Sequence, residues 1–255
     1  MGDVVMDDKK LMIFLPTLNE RKNLEYLLPR FEALPLKDFI ILVVDDQSDD
    51  GTEDYLRNYR SARFQIELVR RPPPSGRGYA GREAFRIARQ RAVDILVEMD
   101  ADGSHDPAEL PRLLKGLAET SADLVIGSRR SCLMKSFDQW SFLRQCMSLL
   151  SNFYARLILG VSVWDCNTGY RCYSQAAVRL LSQADLKAAG SNIIHEVLYV
   201  VHHHRMKIAE VPITFHARQH GKTRKRVRDL IIAFGTCLLM RTPFWNHNPP
   251  ATASD

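Results

Sequence analysis

The stretch Ile95-Leu96-Val97-Glu98-Met99-Asp100-Ala101-Asp102-Gly103-Ser104-His105-Asp106-Pro107 decides how the rest of this chain is read. A short apolar run that stops at acids and a glycine predicts a buried strand over Ile95–Met99 with a polar loop beyond it. Pro107 then opens a helix running through Leu117. Upstream the pattern repeats. Leu11–Leu15 is an apolar strand ending in Pro16-Thr17-Leu18-Asn19-Glu20, and Asn19 is placed to cap a helix through Leu24, Leu27, Leu28 and Phe31. Phe39–Val44 is a second strand ending at Asp45-Asp46; the turn chemistry of Ser48-Asp49-Asp50-Gly51-Thr52 leads into a helix over Glu53–Tyr59. Phe64–Val69 is a third strand, Pro72-Pro73-Pro74-Ser75-Gly76 breaks the chain, Tyr79–Arg91 is helical, and Leu124–Ile126 is a fifth strand.

Strands alternating with helices predict an α/β fold with a mostly parallel central sheet flanked by helices. In such sheets ligands bind beyond the carboxyl ends of the strands. Asn19, Asp46 and Asp102 all fall at that edge. The second half is organised differently. Phe142–Leu159 is a long apolar-rich helix that Gly160 terminates, Val163–Tyr173 is a polar cluster, and Asn192–His204 is another helix. Ile208–Phe215 alternates but contains Pro212, which suits an edge strand. A basic stretch, Arg218–Arg228, precedes the apolar Leu230–Met240.

The chain has 255 residues, 45% hydrophobic and 25% charged, enough for one large domain or two small ones. The expected division is a polar tail over 1–10 and a single catalytic domain over 11–228, with halves 11–128 and 129–228. An amphipathic or interfacial helix over 229–245 and a loose tail over 246–255 follow. The net charge of +5 suits anionic partners such as nucleotides, lipid phosphates or acidic membranes without choosing among them. Five cysteines with no C-x-x-C suggest neither a disulfide framework nor a zinc site, and so a reducing compartment. Met1–Lys10 lacks the apolar core of a secretory signal, and the eleven-residue run Leu230–Met240 falls short of the roughly 20 residues that span a bilayer. A cytoplasmic protein, soluble or peripheral to a membrane, is expected.

Several groups carry chemistry, each with a plainer structural alternative. Asp100 and Asp102 flank one residue just past a buried strand, so both carboxylates can face a hard divalent cation, Mg²⁺ or Mn²⁺, that bridges a diphosphate. Elsewhere such triplets are often solvated loops. Asp46 suits ribose or base donors, or caps a turn. Gly76-Arg77-Gly78 lets a backbone approach a phosphate, or acts as a loop hinge. Arg218-Gln219-His220-Gly221-Lys222-Thr223-Arg224 presents guanidinium forks to phosphate, or is a solvated face. Few aromatics interleave these charges, which argues against single-stranded nucleic acid. His202-His203-His204 points in different directions along a helix, so His105 is the better site histidine.

Taken in order, these segments resemble dolichol-phosphate mannosyltransferases, the polyprenyl-phosphate branch of glycosyltransferase family 2. The resemblance runs from about Met12 to Lys225. It rests on Leu15–Glu20, Val43–Thr52, Met99–Pro107, Ile126-Gly127-Ser128-Arg129, Asp165-Cys166-Asn167-Thr168-Gly169-Tyr170-Arg171 and Glu210–Phe215, followed by the Arg218 loop. It implies a GT-A-type fold and an inverting enzyme that takes mannose, typically from GDP-mannose, to a dolichyl or other polyprenyl phosphate. By the same resemblance Pro16, Leu18, Glu20, Val44 and Asp46 line the base and ribose. Asp100, Ala101 and Asp102 hold metal and diphosphate, with Ser104 nearby. Arg129, Arg218 and Arg224 meet donor or acceptor phosphate. Leu18 stands where tyrosine is usual and Arg224 where lysine is usual, which leaves another donor, such as UDP-glucose, open. A lipid phosphate is already anionic and needs no strong base, so no catalytic histidine is expected. A membrane surface, reached directly or through an accessory membrane subunit, is the implied partner. An acceptor hydroxyl would instead need a carboxylate base, for which Asp165 and Glu196 are the candidates. A non-enzymatic nucleotide- or nucleic-acid-binding module would need neither Asp100 nor Asp102.

Overall fold

A computed structural model describes residues 9–130, 142–221, 227–242 and 245, with the backbone alone for 142–145, 227–231 and 233. Arg224, most of the 1–10 tail and the 246–255 tail lie outside the described residues. The first half follows the predicted alternation: β1 (Leu11–Thr17), α1 (Arg21–Glu32), β2 (Phe39–Asp45), α2 (Thr52–Asn58), β3 (Phe64–Arg70), α3 (Arg77–Gln90) and β4 (Ile95–Glu98). A single 3-10 turn over Pro107–Glu109 leads into α4 (Leu110–Thr120) and β5 (Leu124–Ser128). The second half holds α5 (Phe142–Leu159), β6 (Arg171–Ser174), α6 (Gln175–Gln183), α7 (Ile193–His203), β7 (Ile208–Pro212) and α8 (Val227–Met240).

The described strands form one seven-stranded sheet in the order β3-β2-β1-β4-β6-β5-β7. All neighbours are parallel except β6, which runs antiparallel between β4 and β5 with Leu96 opposite Tyr173 and Val125 opposite Cys172. Neither β6 nor α6 is predicted from the sequence; the polar cluster read over Val163–Tyr173 runs into β6. Its arginine explains why: Arg171 is fully buried and donates to the carbonyls of Thr168, Ile194 and Cys166 at 3.0, 2.6 and 3.0 Å. A guanidinium satisfied by backbone oxygens is tolerated in a strand that hydropathy alone rejects.

Side chains alternate across the sheet as a strand period of two requires. Ile13, Leu15, Ile41, Val43 and Val97 pack under α1 and α4, against Leu24, Leu28, Phe31, Leu113 and Leu114. Met12, Phe14, Leu42, Leu96 and Ile126 face α3 and α5 to α8. Both faces are covered, which is why the central strands read as unbroken apolar runs. β7 lies at an edge, where Pro212 leaves no ladder bond unmade. One capping expectation fails. Asn19 lies at φ 55° and its carboxamide oxygen accepts from the Asp49 N–H at 2.9 Å, tying the β1 and β2 loops together, while Glu20 occupies the N-cap.

Candidate active site

The carboxyl ends of β1, β2 and β4 are adjacent, and the loops leaving them converge. Pro16 stands opposite Val44 in register, and the Asp46 N–H donates to the Thr17 carbonyl at 3.0 Å. Pro16, Leu18, Val44 and Asp46, the residues expected to line a nucleotide, therefore share one corner of the sheet edge. Asp46 is nearly buried and doubly engaged: Arg71 donates to one oxygen at 2.5 Å and the Gly76 N–H to the other at 2.6 Å. That carboxylate ties both ends of the 71–76 loop to this corner of the sheet edge.

Beyond β4 the chain turns at Asp100-Ala101-Asp102. Ala101 is buried, whereas the Asp100 and Asp102 side chains keep 28% and 22% of their surface exposed. The loop is held from within: the Ser104 N–H donates to Asp102 Oδ1 at 3.0 Å, and the Asp100 N–H donates to His105 Nδ1 at 3.1 Å. His105 is thus no site ligand. It is buried behind the loop, with its ring 5.0 Å from Tyr170 and 5.6 Å from Phe215, centroid to centroid. Burial pushes its pKa down, and the nitrogen that accepts an amide proton carries none of its own.

The 216–220 segment lies across this loop. The His216 N–H donates to the Ser104 carbonyl and the Gln219 N–H to the Asp102 carbonyl, at 3.0 and 3.1 Å. Asn23, buried in α1, accepts from the His220 N–H at 3.0 Å and donates to its carbonyl at 3.2 Å. Arg218 pairs with Glu20 and stands 3.5 Å from Asp102. Glu20, Asp102 and Arg218, drawn from a span of nearly two hundred positions, therefore form one cluster. At the end of β5, Arg129 is gripped by Asp165 through its backbone N–H, Nε and Nη2 at 3.0, 2.7 and 2.8 Å. Burial alone would raise the Asp165 carboxyl, but the Arg129 charge and these bonds outweigh it and hold it low.

Two site groups escape a reading of the sequence. The Arg77 guanidinium lies 2.5 Å from Asp100 Oδ1 and 3.0 Å from Glu98, and Glu98 in turn accepts from the Tyr173 hydroxyl at 2.8 Å. A glutamate inside the otherwise apolar Ile95–Met99 run was the available sign that a buried cation faces it. Gly76 and Gly78 also have a different cause from phosphate contact. A Cβ at Gly78 would lie 1.9 Å from the Ala188 carbonyl oxygen and one at Gly76 2.5 Å from that of Ala189. These glycines let the first turn of α3 press against the 188–189 backbone. Glu196 holds that backbone in place, accepting from the Lys187 and Ala188 N–H groups at 2.8 Å each. Neither Asp165 nor fully buried Glu196 is therefore disposed as a base for an acceptor hydroxyl.

The donor set suits a divalent cation. Asp100 and Asp102 offer two hard carboxylate donors at the sheet edge; among the described residues no third His, Cys, Asp or Glu joins them in a group that could hold a metal. The ion-paired groups around them are four carboxylates, Glu20, Glu98, Asp100 and Asp102, against two guanidinium groups, Arg77 and Arg218; four against two leaves two negative charges. One divalent cation would neutralise that excess.

The family model for glycosyl transferase family 2 matches residues 12–181. The chain belongs to glycosyl transferase family 2. Among relatives of this family 2 enzyme, an undecaprenyl-phosphate mannosyltransferase of Micrococcus luteus is 36% identical over 216 residues, 84% of this chain and 87% of that one. A polyprenol monophosphomannose synthase of Mycolicibacterium smegmatis is 33% identical, covering 86% of this chain and 82% of that one. A crystal structure of glucosyl-3-phosphoglycerate synthase from Mycobacterium tuberculosis with Mn²⁺, UDP-glucose and phosphoglyceric acid matches this glycosyltransferase with a TM-score of 0.67. It is 20% identical, covering 92% of this chain and 80% of that one, and the shared fold is of GT-A type.

Proposed function

We propose that this glycosyltransferase moves mannose from a nucleotide-sugar, GDP-mannose in the first instance, to the phosphate of a polyprenyl or dolichyl lipid, with inversion. The geometry that carries the reading is the pairing of acids and bases around the site. Asp165 and Glu196 are both engaged structurally, His105 is buried and neutral, and arginines, not carboxylates, stand across from Asp100 and Asp102. A site arranged in this way suits an acceptor that is already anionic. The names of the relatives agree with a lipid phosphate.

In this reading Pro16, Leu18, Val44 and Asp46 seat the nucleoside, with Glu20 and Ser104 beside them. Asp100 and Asp102 hold Mg²⁺ or Mn²⁺, which when bound supplies positive charge to the departing diphosphate. Arg218, steered by Glu20, and Arg129, fixed by Asp165, gather the acceptor phosphate and orient it for in-line attack; Arg224 joins them by the family resemblance. The Asn23-held 216–220 segment keeps Arg218 beside Asp102 and limits water at the reacting centre.

A membrane surface completes the proposal. No described helix is long and apolar enough to cross a bilayer. Yet α5 exposes Leu150, Phe153 and Leu157 at 61%, 64% and 66%, and α8 exposes Ile232, Leu238 and Leu239. The two helices meet where the Tyr154 and Phe234 rings lie 4.4 Å apart. Arg130, and Arg156 in the last turn of α5, stack on the half-exposed Trp164 at 4.0 and 4.6 Å, a cationic and aromatic rim suited to anionic headgroups. The enzyme then works at the cytoplasmic face, with or without an accessory membrane subunit. Incubation with labelled GDP-mannose, UDP-glucose and other donors plus polyprenyl phosphates, followed by organic extraction, tests the chemistry. Label from GDP-mannose is expected in the lipid phase, abolished by Asp102→Ala with the fold intact. Near-normal transfer by Asp102→Ala refutes the metal assignment. Flotation with anionic liposomes is expected to weaken strongly in Phe153→Asp/Leu157→Asp; unchanged flotation removes this face from the proposal.

A further inference from the structure

Asp100, the first acid of the D-x-D pair, already has a cation. Arg77 projects from the first turn of α3 and places Nη1 2.5 Å from Asp100 Oδ1 and Nη2 3.0 Å from Glu98 Oε1. Three further features hold it there. Gly169 vacates the space, since a Cβ at that position would lie 2.1 Å from Arg77 Nη2. The α3 turn is locked to the 188–189 backbone by the Gly78 N–H bond to the Ala189 carbonyl at 2.9 Å. Glu98 is anchored by the buried Tyr173 hydroxyl. The guanidinium is therefore held from α3 against the loop, largely buried, and its Nε has no hydrogen-bond partner among the described residues. Asp102 is flanked in the same manner by Arg218, at 3.5 Å, but from a loop rather than a rigid helix turn.

We propose that Arg77 is a positioning residue that occupies Asp100 as a resident counter-cation, so that divalent-cation binding at Asp100 and Asp102 waits for the donor diphosphate. The inference rests on the metal assignment above and goes beyond it. With Asp100 Oδ1 in a close, largely buried ion pair, a cation entering alone meets a site whose first ligand is taken. The diphosphate changes both sides of that competition. It brings oxygen ligands for the metal and a new anionic partner for Arg77. Cation and nucleotide then bind with positive coupling, which linkage requires to be equal in either order. The Glu98 partner keeps Arg77 fixed when Asp100 turns to the metal, so the charge stays beside the departing diphosphate.

The test measures Mn²⁺ binding by electron paramagnetic resonance and calorimetry, with and without GDP and with no transfer reaction. The informative variant is Arg77→Met/Glu98→Gln. It leaves the net charge of the site unchanged, keeps side-chain volumes, and retains an acceptor for Tyr173. Long-range electrostatics alone predicts no change. The proposal predicts Mn²⁺ binding without GDP at least about tenfold tighter than in the parent, and GDP enhancement of Mn²⁺ affinity smaller by the same factor, about 1.4 kcal/mol of coupling. Equal Mn²⁺ affinity and equal coupling in parent and variant overturn the Arg77 proposal and leave the metal assignment standing. Absence of Mn²⁺ binding from both, with and without GDP, overturns the two together. Should the double variant fail to fold, Arg77→Lys serves: charge is kept but a single ammonium cannot bridge Glu98 and Asp100. A rise of about threefold or more in GDP-free Mn²⁺ affinity is then expected, and none overturns the proposal.

Discussion

Replacing Gly78 by alanine adds one methyl group where there is no room for it. Built on the backbone, that carbon sits 1.9 Å from the Ala188 carbonyl oxygen, 2.7 Å from its carbonyl carbon and 2.8 Å from the carbonyl carbon of Ala189. All three are main-chain atoms, so no side-chain rotation relieves the clash. Either α3 tilts away or the 186–190 segment moves. That segment is fixed by Glu196 from one side and by Arg82, which donates to the Leu186 and Ala188 carbonyls at 2.8 and 2.9 Å, from the other. Overpacking of this kind costs about 1–3 kcal/mol, and loss of the bond from the Gly78 N–H adds about 1 kcal/mol. A total of about 2–4 kcal/mol lowers Tm by roughly 5–15 °C in a chain of this size. Gly235 is the control. It sits inside α8 with nothing among the described residues within 4 Å of a built Cβ, so Gly235→Ala removes only the helix penalty of glycine and stabilises by about 0.5–1 kcal/mol. Differential scanning calorimetry on both variants reads the two effects with opposite signs. A Gly78→Ala protein melting within about 2 °C of the parent refutes the claim that close backbone approach is what this glycine serves.

Two other expectations follow from the site. Asn23→Leu keeps the volume in α1 but releases both backbone groups of His220; amide exchange over 216–221 should speed at least about tenfold and kcat/KM fall, and unchanged exchange rules out Asn23 as the latch. Asp165 titrates below its ordinary 3.8 because Arg129 and its hydrogen bonds outweigh burial, so its contribution to stability is present above the unfolded-state value and lost as pH falls through the folded-state value. The Tm advantage of the parent over Asp165→Asn should therefore hold from about pH 7 to 5 and shrink below about pH 4; an advantage undiminished at pH 3 contradicts the pairing.

The sequence by itself determined the parallel half of the sheet, because β1, β2 and β4 are buried on both faces and so show as apolar runs with their polar residues bunched at one end, while β3 at the edge shows by its alternation. That pattern placed Asp46, Asp100 and Asp102 on a shared edge, and it marked β7 as an edge strand through Pro212. It also carried the family, since the motifs follow one another in order along most of the chain. Tertiary structure alone decided the rest. The insertion of β6 between β4 and β5 depends on Arg171 finding three carbonyl oxygens that only the folded chain assembles. The Arg77–Glu98–Asp100 cluster, the Arg218–Glu20–Asp102 cluster and the grip of Asp165 on Arg129 join residues from 21 to 198 positions apart. Periodicity reports what is buried locally, whereas the partner of a buried charge is set by which distant elements pack against it. For the same reason the purpose of Gly76 and Gly78 was invisible in sequence: the atoms that exclude a side chain there belong to a backbone more than a hundred residues away.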